Sequence, residues 1–198
     1  MNVVKHYDML IEEENDPCKD PLPLREYMDK WDGSKFIDSM HLSGREKVLE
    51  IGVGTGRIAS KVIPLCLFFD GIDISPKTIE RAGENLSDFK NKRLICADFL
   101  DFDFDFDNTY DVIYSTLTSQ HFEDKQAFIS KASMLLNRGG ILCLSLDKNQ
   151  DAFIDMGNRR LRVFPDNPAI IEKCIENAGL KLLEKYEVEF AVILVCSK

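Results

Sequence analysis

The run Val48-Leu49-Glu50-Ile51-Gly52-Val53-Gly54-Thr55-Gly56-Arg57-Ile58-Ala59 leaves a chain few folds to choose from. An apolar stretch, three glycines on alternate positions and then a helix start describe a strand feeding a loop whose backbone N–H groups face a ligand. Side chains would resist the turn and keep a bulky ligand off the main chain; glycine removes that obstacle. The spacing then separates ligand classes. A dinucleotide fingerprint runs G-x-G-x-x-G, and counted from Gly52 its third glycine falls on Arg57, which would hinder helix-to-sheet packing beside a pyrophosphate.

The string present, E-x-G-x-G-x-G, resembles motif I of class I S-adenosylmethionine-dependent methyltransferases, in which an acidic residue closes the first strand and the loop cradles the cofactor's amino acid portion. Later segments extend the resemblance in order. A helix runs to about residue 63, ahead of Pro64, and residues 67–74 read as a second buried strand. Asp73 lies 21 residues after Gly52, where a carboxylate at the strand tip accepts hydrogen bonds from both hydroxyls of a ribose. Ser75-Pro76 supplies an N-cap and a first-turn proline, and GIDISPKTIERA resembles the family's second motif. A third strand at 93–96 ends in Ala97-Asp98-Phe99, which offers a carboxylate to an adenine amino group and a ring to its face. The fourth, at 110–115, is followed by Thr116-Leu117-Thr118 and not by the Asn/Asp-Pro-Pro-aromatic motif of members that methylate amino groups of nucleic acids and glutamine. The loop through Asp124 instead resembles that of small-molecule methyltransferases.

Across residues 47–146 the resemblance implies S-adenosylmethionine held by Glu50, Gly52, Gly54, Thr55, Gly56, Asp73, Ile74, Ala97, Asp98, Phe99 and Ser115. It also implies methyl transfer to a small-molecule acceptor by in-line displacement. Such a displacement on an activated carbon needs alignment and exclusion of water more than covalent catalysis. His121, in the loop after the fourth strand, is the candidate general base.

A helix at 125–136, a turn at 137–140 and a fifth strand at 141–146 continue the alternation. Residues 147–166 form a polar insertion, a helix follows to Ala178 with Gly179 as its cap, and two late strands fit the family's terminal antiparallel pair. The expected architecture is a doubly wound α/β sheet of seven strands, mostly parallel with the last antiparallel, helices on both faces, and the ligand at the carboxyl ends of the central strands. Residues 1–46 form an N-terminal helical segment, broken by Pro17, Pro21 and Pro23, with a helix from about 24 to 40 interrupted near Asp32-Gly33. The resemblance makes it a lid, with His6, Tyr7, Met28 and Trp31 facing the pocket. Tyr7 and Trp31 are candidate acceptor contacts. So are Arg160 and Arg162, which share one face of an extended strand with Leu161 and Val163 on the other; if the basic face looks inward, the acceptor is anionic. The Asp/Phe alternation over 101–107 reads as a half-buried extended segment with its aspartates solvated.

A formal charge of −9 gives no general attraction for polyanions, so a nucleic-acid partner is disfavoured. No stretch approaches the roughly 18 apolar residues of a membrane span, and the amino terminus has no signal-peptide core, which points to a cytoplasmic protein. Six cysteines without a C-x-x-C pair indicate neither a metal site nor a disulfide framework. The alternatives are a non-catalytic S-adenosylmethionine-binding regulator and an NAD-dependent oxidoreductase, the latter opposed by Arg57.

Overall fold

The computed structural model describes residues 1–105 and 109–198. In chain order its elements are α1 (Val3–Glu12), α2 (Leu22–Met28), α3 (Lys35–Asp38), β1 (Lys47–Ile51), α4 (Ala59–Val62), β2 (Phe68–Asp73), α5 (Pro76–Asn85), β3 (Lys92–Cys96), β4 (Tyr110–Thr116), α6 (Lys125–Leu135), β5 (Leu136–Asp147), β6 (Phe153–Asp155), β7 (Arg160–Arg162), α7 (Pro168–Asn177), β8 (Lys181–Glu187) and β9 (Ala191–Ser197). Seven strands make one sheet in the order β3-β2-β1-β4-β5-β9-β8. The pairs from β3 through β5 are parallel, and β9 runs antiparallel to both neighbours. The order reverses between β1 and β4, which opens a crevice at their carboxyl ends.

The central strands are apolar on both sides because helices cover both faces. On one face α6 sets Phe128, Ile129, Ala132 and Leu135 at helical spacing against the sheet, joined by Ile171, Cys174 and Ile175 of α7. On the other, Phe36 and Met40 at α3, Ala59 and Val62 of α4, and Leu86 after α5 fill the second layer. The helix starts follow the sequence chemistry. Ser75 accepts from the Thr78 N–H with Pro76 in the first turn, Asp124 from the Ala127 N–H, and Asn167 from the N–H groups of Ala169 and Ile170. Among the described residues no helix is long and apolar enough to cross a membrane.

Four local features differ from the sequence reading. Helix α1 lies where the sequence reading placed only a segment broken by prolines, although Val3, Tyr7, Leu10 and Ile11 recur at helical spacing along it. The helix after the glycine loop is a single turn passing into a 3-10 turn at Ile63–Leu65 that includes Pro64. β5 starts at Leu136 and runs through the expected turn, because the register slips between Tyr110↔Leu136 and Val112↔Ile141. In the Asp/Phe stretch the described part is irregular, with Phe104 buried and Phe102 packed on the same core while Asp101, Asp103 and Asp105 are exposed. Phe106 and Asp107 lie outside the described residues. The insertion forms the β6–β7 hairpin, which buries Leu161 and Val163 and exposes Arg160 and Arg162.

Phe36 is fully buried although it precedes β1, so residues around α3 belong to the core. Truncation of Phe36 to Ala is expected to destabilise the fold by about 3–5 kcal/mol, read as a lower midpoint in urea unfolding at unchanged slope. A midpoint equal to wild type would show that this segment does not support the sheet.

Candidate functional site

The carboxyl ends of β1 to β4 open into a cavity of about 300 Å3, roofed by α1 and by residues Pro17 and Met28. The three glycines after β1 serve three different needs. A Cβ on Gly52 would come within 2.0 Å of Thr118 Oγ1, and one on Gly56 within 2.9 Å of Leu86 Cδ1, so these two allow close packing against the loop after β4 and the end of α5. Gly54, at φ +56°, has nothing within 4 Å of that position, and it lines the cavity. Its bare backbone is the floor of the cradle.

Asp73 at the tip of β2 receives the Gly54 N–H at 3.1 Å on one oxygen and the Ser75 N–H at 3.0 Å on the other. Burial raises its pKa, opposed by these backbone bonds and one from Ile74. Glu50, at the end of β1, is 2% exposed and accepts from the Tyr114 hydroxyl at 2.8 Å. Burial pushes its carboxyl up to about 8, with Tyr114 and the Arg57 charge pulling the other way. Arg57, where a dinucleotide site would need glycine, turns away from the helix seam. Its guanidinium meets Asp29 Oδ1 at 3.1 Å and Asp32 Oδ1 at 2.6 Å, tying the N-terminal segment to the glycine loop.

The roof is fastened on two sides. Towards α5, Asp8 accepts from Ser75 Oγ at 2.7 Å and from the Lys77 N–H, Glu12 pairs with Lys77, and Asp16 takes Arg81 and Asn85. Towards the hairpin, Glu13 binds both terminal nitrogens of Arg159 at 2.5 and 2.6 Å. Inside, the Tyr7 hydroxyl lies 2.8 Å from His121 Nε2, with the rings edge to face. Burial lowers the His121 pKa to about 4, reinforced by the charges of His6 and Lys125, and raises that of Tyr7. The loop bearing His121 is braced from below, where Lys125 meets Asp166 at 2.7 Å and the Ser119 carbonyl at 2.6 Å while Ser119 Oγ donates to Asp166.

The structure therefore brings Tyr7, Glu50, Gly52, Gly54, Thr55, Asp73, Ile74, Ala97, Asp98, Phe99 and His121 to one cavity, with Met28. Gly56 and Ser115 stand behind it; Ser115 donates to the Ile51 carbonyl at 2.9 Å in the β1–β4 seam. Three expected acceptor contacts are elsewhere. Trp31 packs on Tyr27 and Phe190 with centroids 5.4 and 4.8 Å away. Arg160 pairs with Asp155 and stacks on Phe153, and Arg162 stacks on Phe164, both exposed on the hairpin. Their alternation with Leu161 and Val163 is as read, but the buried apolar face looks inward and the basic face outward. Sequence reasoning missed Val3, Pro17, Arg57, Leu117 and Phe122. The i, i+4 spacing of Val3 and Tyr7 was a usable signal for the first of these.

Residues 49–142 match a family model described as a methyltransferase domain. Malonyl-[acyl-carrier protein] O-methyltransferase 1 of Ilyobacter polytropus is 32% identical over 108 residues, 54% of this chain and 40% of that protein. The chain spans about half the length, or less, of several curated relatives that it matches. Among solved structures, the N-methyltransferase NodS of Bradyrhizobium japonicum in complex with S-adenosyl-L-homocysteine superposes with a TM-score of 0.72 at 17% identity, covering 100% of this chain and 99% of that one. The [4+2]-cyclase SpnF gives 0.75 at 16% identity, covering 99% and 95%. These structural likenesses establish the fold.

Because Glu50 is protonated in the folded protein up to about pH 8 but has an ordinary carboxyl pKa of 4.5 when unfolded, the folded state binds more protons between these values. Its contribution to stability is full below pH 4.5 and is lost as pH rises through about 8. Urea unfolding across that window is expected to show wild type losing stability relative to Glu50→Gln as pH increases; parallel curves for the two proteins would place the Glu50 carboxyl at its ordinary pKa.

Proposed function

We propose that this chain, which matches a methyltransferase-domain model over residues 49–142 and shares the fold of solved methyltransferases, binds S-adenosylmethionine in the β1/β4 cavity and transfers its methyl group to a small-molecule acceptor. The observation that carries this reading is the cradle itself, with open space above Gly54 beside the Asp73 carboxylate. Glycine at this position and an acidic strand tip fit the cofactor's amino acid arm and its ribose diol. Ala97, Asp98 and Phe99 would take the adenine, and Glu50 lies where the arm's ammonium would face it.

Bound S-adenosylmethionine supplies a methyl group activated on a sulfonium. The chain's own residues do the remainder. The roof of α1, Pro17 and Met28 excludes water, and Gly52 lets the loop after β4 approach closely enough to align an acceptor. His121, neutral because burial depresses its pKa, would take the acceptor's proton through the Tyr7 hydroxyl that touches its Nε2. The relative named for malonyl-[acyl-carrier protein] O-methylation supports oxygen as one acceptor atom. A second reading, cofactor binding without methyl transfer, draws support from the cyclase that shares the fold.

Calorimetric titration is expected to give saturable binding of S-adenosylmethionine and none of NAD. Asp73→Ala should weaken the cofactor about 10- to 100-fold, since a hydrogen bond to a charged group is worth about 1.5–3 kcal/mol. His121→Ala should leave cofactor affinity in place while lowering turnover about 100-fold on an acceptor that must lose a proton. An unaltered dissociation constant for a folded Asp73→Ala protein would remove Asp73 from the site, and cofactor binding with no turnover on any acceptor would favour the second reading.

A further inference from the structure

We propose that the acceptor end of the cavity takes a small, uncharged molecule with one hydroxyl or thiol, its apolar body seated on Leu117, Val3 and Phe122 and its nucleophile against the Tyr7–His121 pair. The proposal deepens the methyltransferase reading and rests on it.

Size is the first argument. A single bound ligand commonly fills about 300–1,000 Å3, and the whole cavity is about 300 Å3. A nucleoside with an amino acid arm uses most of that, so the part of an acceptor held beneath α1 is small.

Charge is the second. Three carboxyl groups, Glu50, Asp73 and Asp98, line the cavity against one guanidinium, Arg57, which is already held by Asp29 and Asp32. The nearby cations are committed as well. Arg159 is closed by Glu13, Lys125 by Asp166 and two carbonyls, and Arg160 and Arg162 face outward on the hairpin. An anionic acceptor would shed its hydration and find no uncommitted side-chain cation in the wall, a penalty that an uncharged one avoids.

The backbone supplies the third argument. Leu117 has φ +57°, a left-handed conformation that a branched side chain adopts at a cost of about 1–2 kcal/mol. It is held there by its N–H to the Ser145 carbonyl at 3.3 Å, by its carbonyl accepting from Gln120 Nε2 at 3.0 Å, and by Thr118 Oγ1 donating to the Thr116 carbonyl. Strain of this kind persists where the surroundings fix it, and here it sets an apolar side chain into the cavity four residues from His121. Opposite, Val3 and Tyr7 share one face of α1. Each wall thus offers an apolar residue and a polar one, which suits an apolar body ending in a single X–H group. In the reaction the bond from oxygen or sulfur to the methyl carbon forms as the carbon–sulfonium bond breaks, its electron pair staying on sulfur, and the acceptor's proton passes by Tyr7 to His121.

The test uses the full chain saturated with S-adenosylhomocysteine, titrated with matched probes: phenol against para-hydroxybenzoate, and ethanethiol against mercaptoacetate. Each uncharged probe is expected to bind about tenfold or more tighter than its carboxylate counterpart. Leu117→Gly relieves the strained φ, so its thermal midpoint should be equal to or above wild type and its S-adenosylhomocysteine affinity unchanged, while its affinity for the uncharged probes falls about fivefold or more. Equal or reversed preference within the pairs, no binding of either uncharged probe to the saturated protein, or undiminished probe affinity in Leu117→Gly would each overturn the assignment. Failure of S-adenosylhomocysteine itself to bind would instead strike the methyltransferase reading, and the acceptor class with it.

Discussion

The cleft exists because Thr118 can press against a residue with no side chain. Its Oγ1 sits 2.0 Å from where a Cβ on Gly52 would be, so the loop leaving β1 and the loop leaving β4 meet at a separation that other residues forbid. That contact fixes the floor of the cavity relative to the wall that carries Leu117 and His121. Gly56 does the matching work behind, where Leu86 packs within 2.9 Å of its missing Cβ. The Gly54 position between them stays open. Two glycines close the structure and one leaves it available, which explains their alternate spacing.

The same economy governs the charges. Arg57 and Asp32 are both largely buried, with side chains 11% and 4% exposed, and removing one partner of such a pair leaves an uncompensated charge at a penalty of about 3–5 kcal/mol. The arginine that spoils a dinucleotide fingerprint thereby becomes the anchor of the N-terminal segment. One residue both departs from the dinucleotide pattern and ties the N-terminal segment to the glycine loop.

The sheet was legible because its strands are apolar runs bounded by turn chemistry, and α5, α6 and α7 because their caps are explicit at Ser75, Asp124 and Asn167. The cavity floor was legible for a related reason: Asp73 and Asp98, both lining it, sit at strand tips, and strand tips can be counted from a sequence. The opposite wall was not. Leu117 reaches the cavity through a left-handed backbone angle, and Arg159, rather than Arg160 or Arg162, meets the roof because the hairpin register turns its neighbours outward. Helix α1 had a readable period in Val3, Tyr7, Leu10 and Ile11, but its fastenings at Asp8, Glu12 and Glu13 reach residues far along the chain. Long-range polar pairing leaves no period in a sequence.

A roof fastened by charge is also sensitive to salt. Lys77–Glu12 and Arg81–Asp16 on one flank and Arg159–Glu13 on the other tie the segment down, and several of these partners lie at the solvent boundary. Mobile ions screen such pairs over about 8–10 Å at physiological strength, whereas the apolar walls inside are indifferent to them. Ionic strength therefore loosens the fastenings of the roof while leaving the apolar walls beneath it unchanged, and the two respond to separate variables.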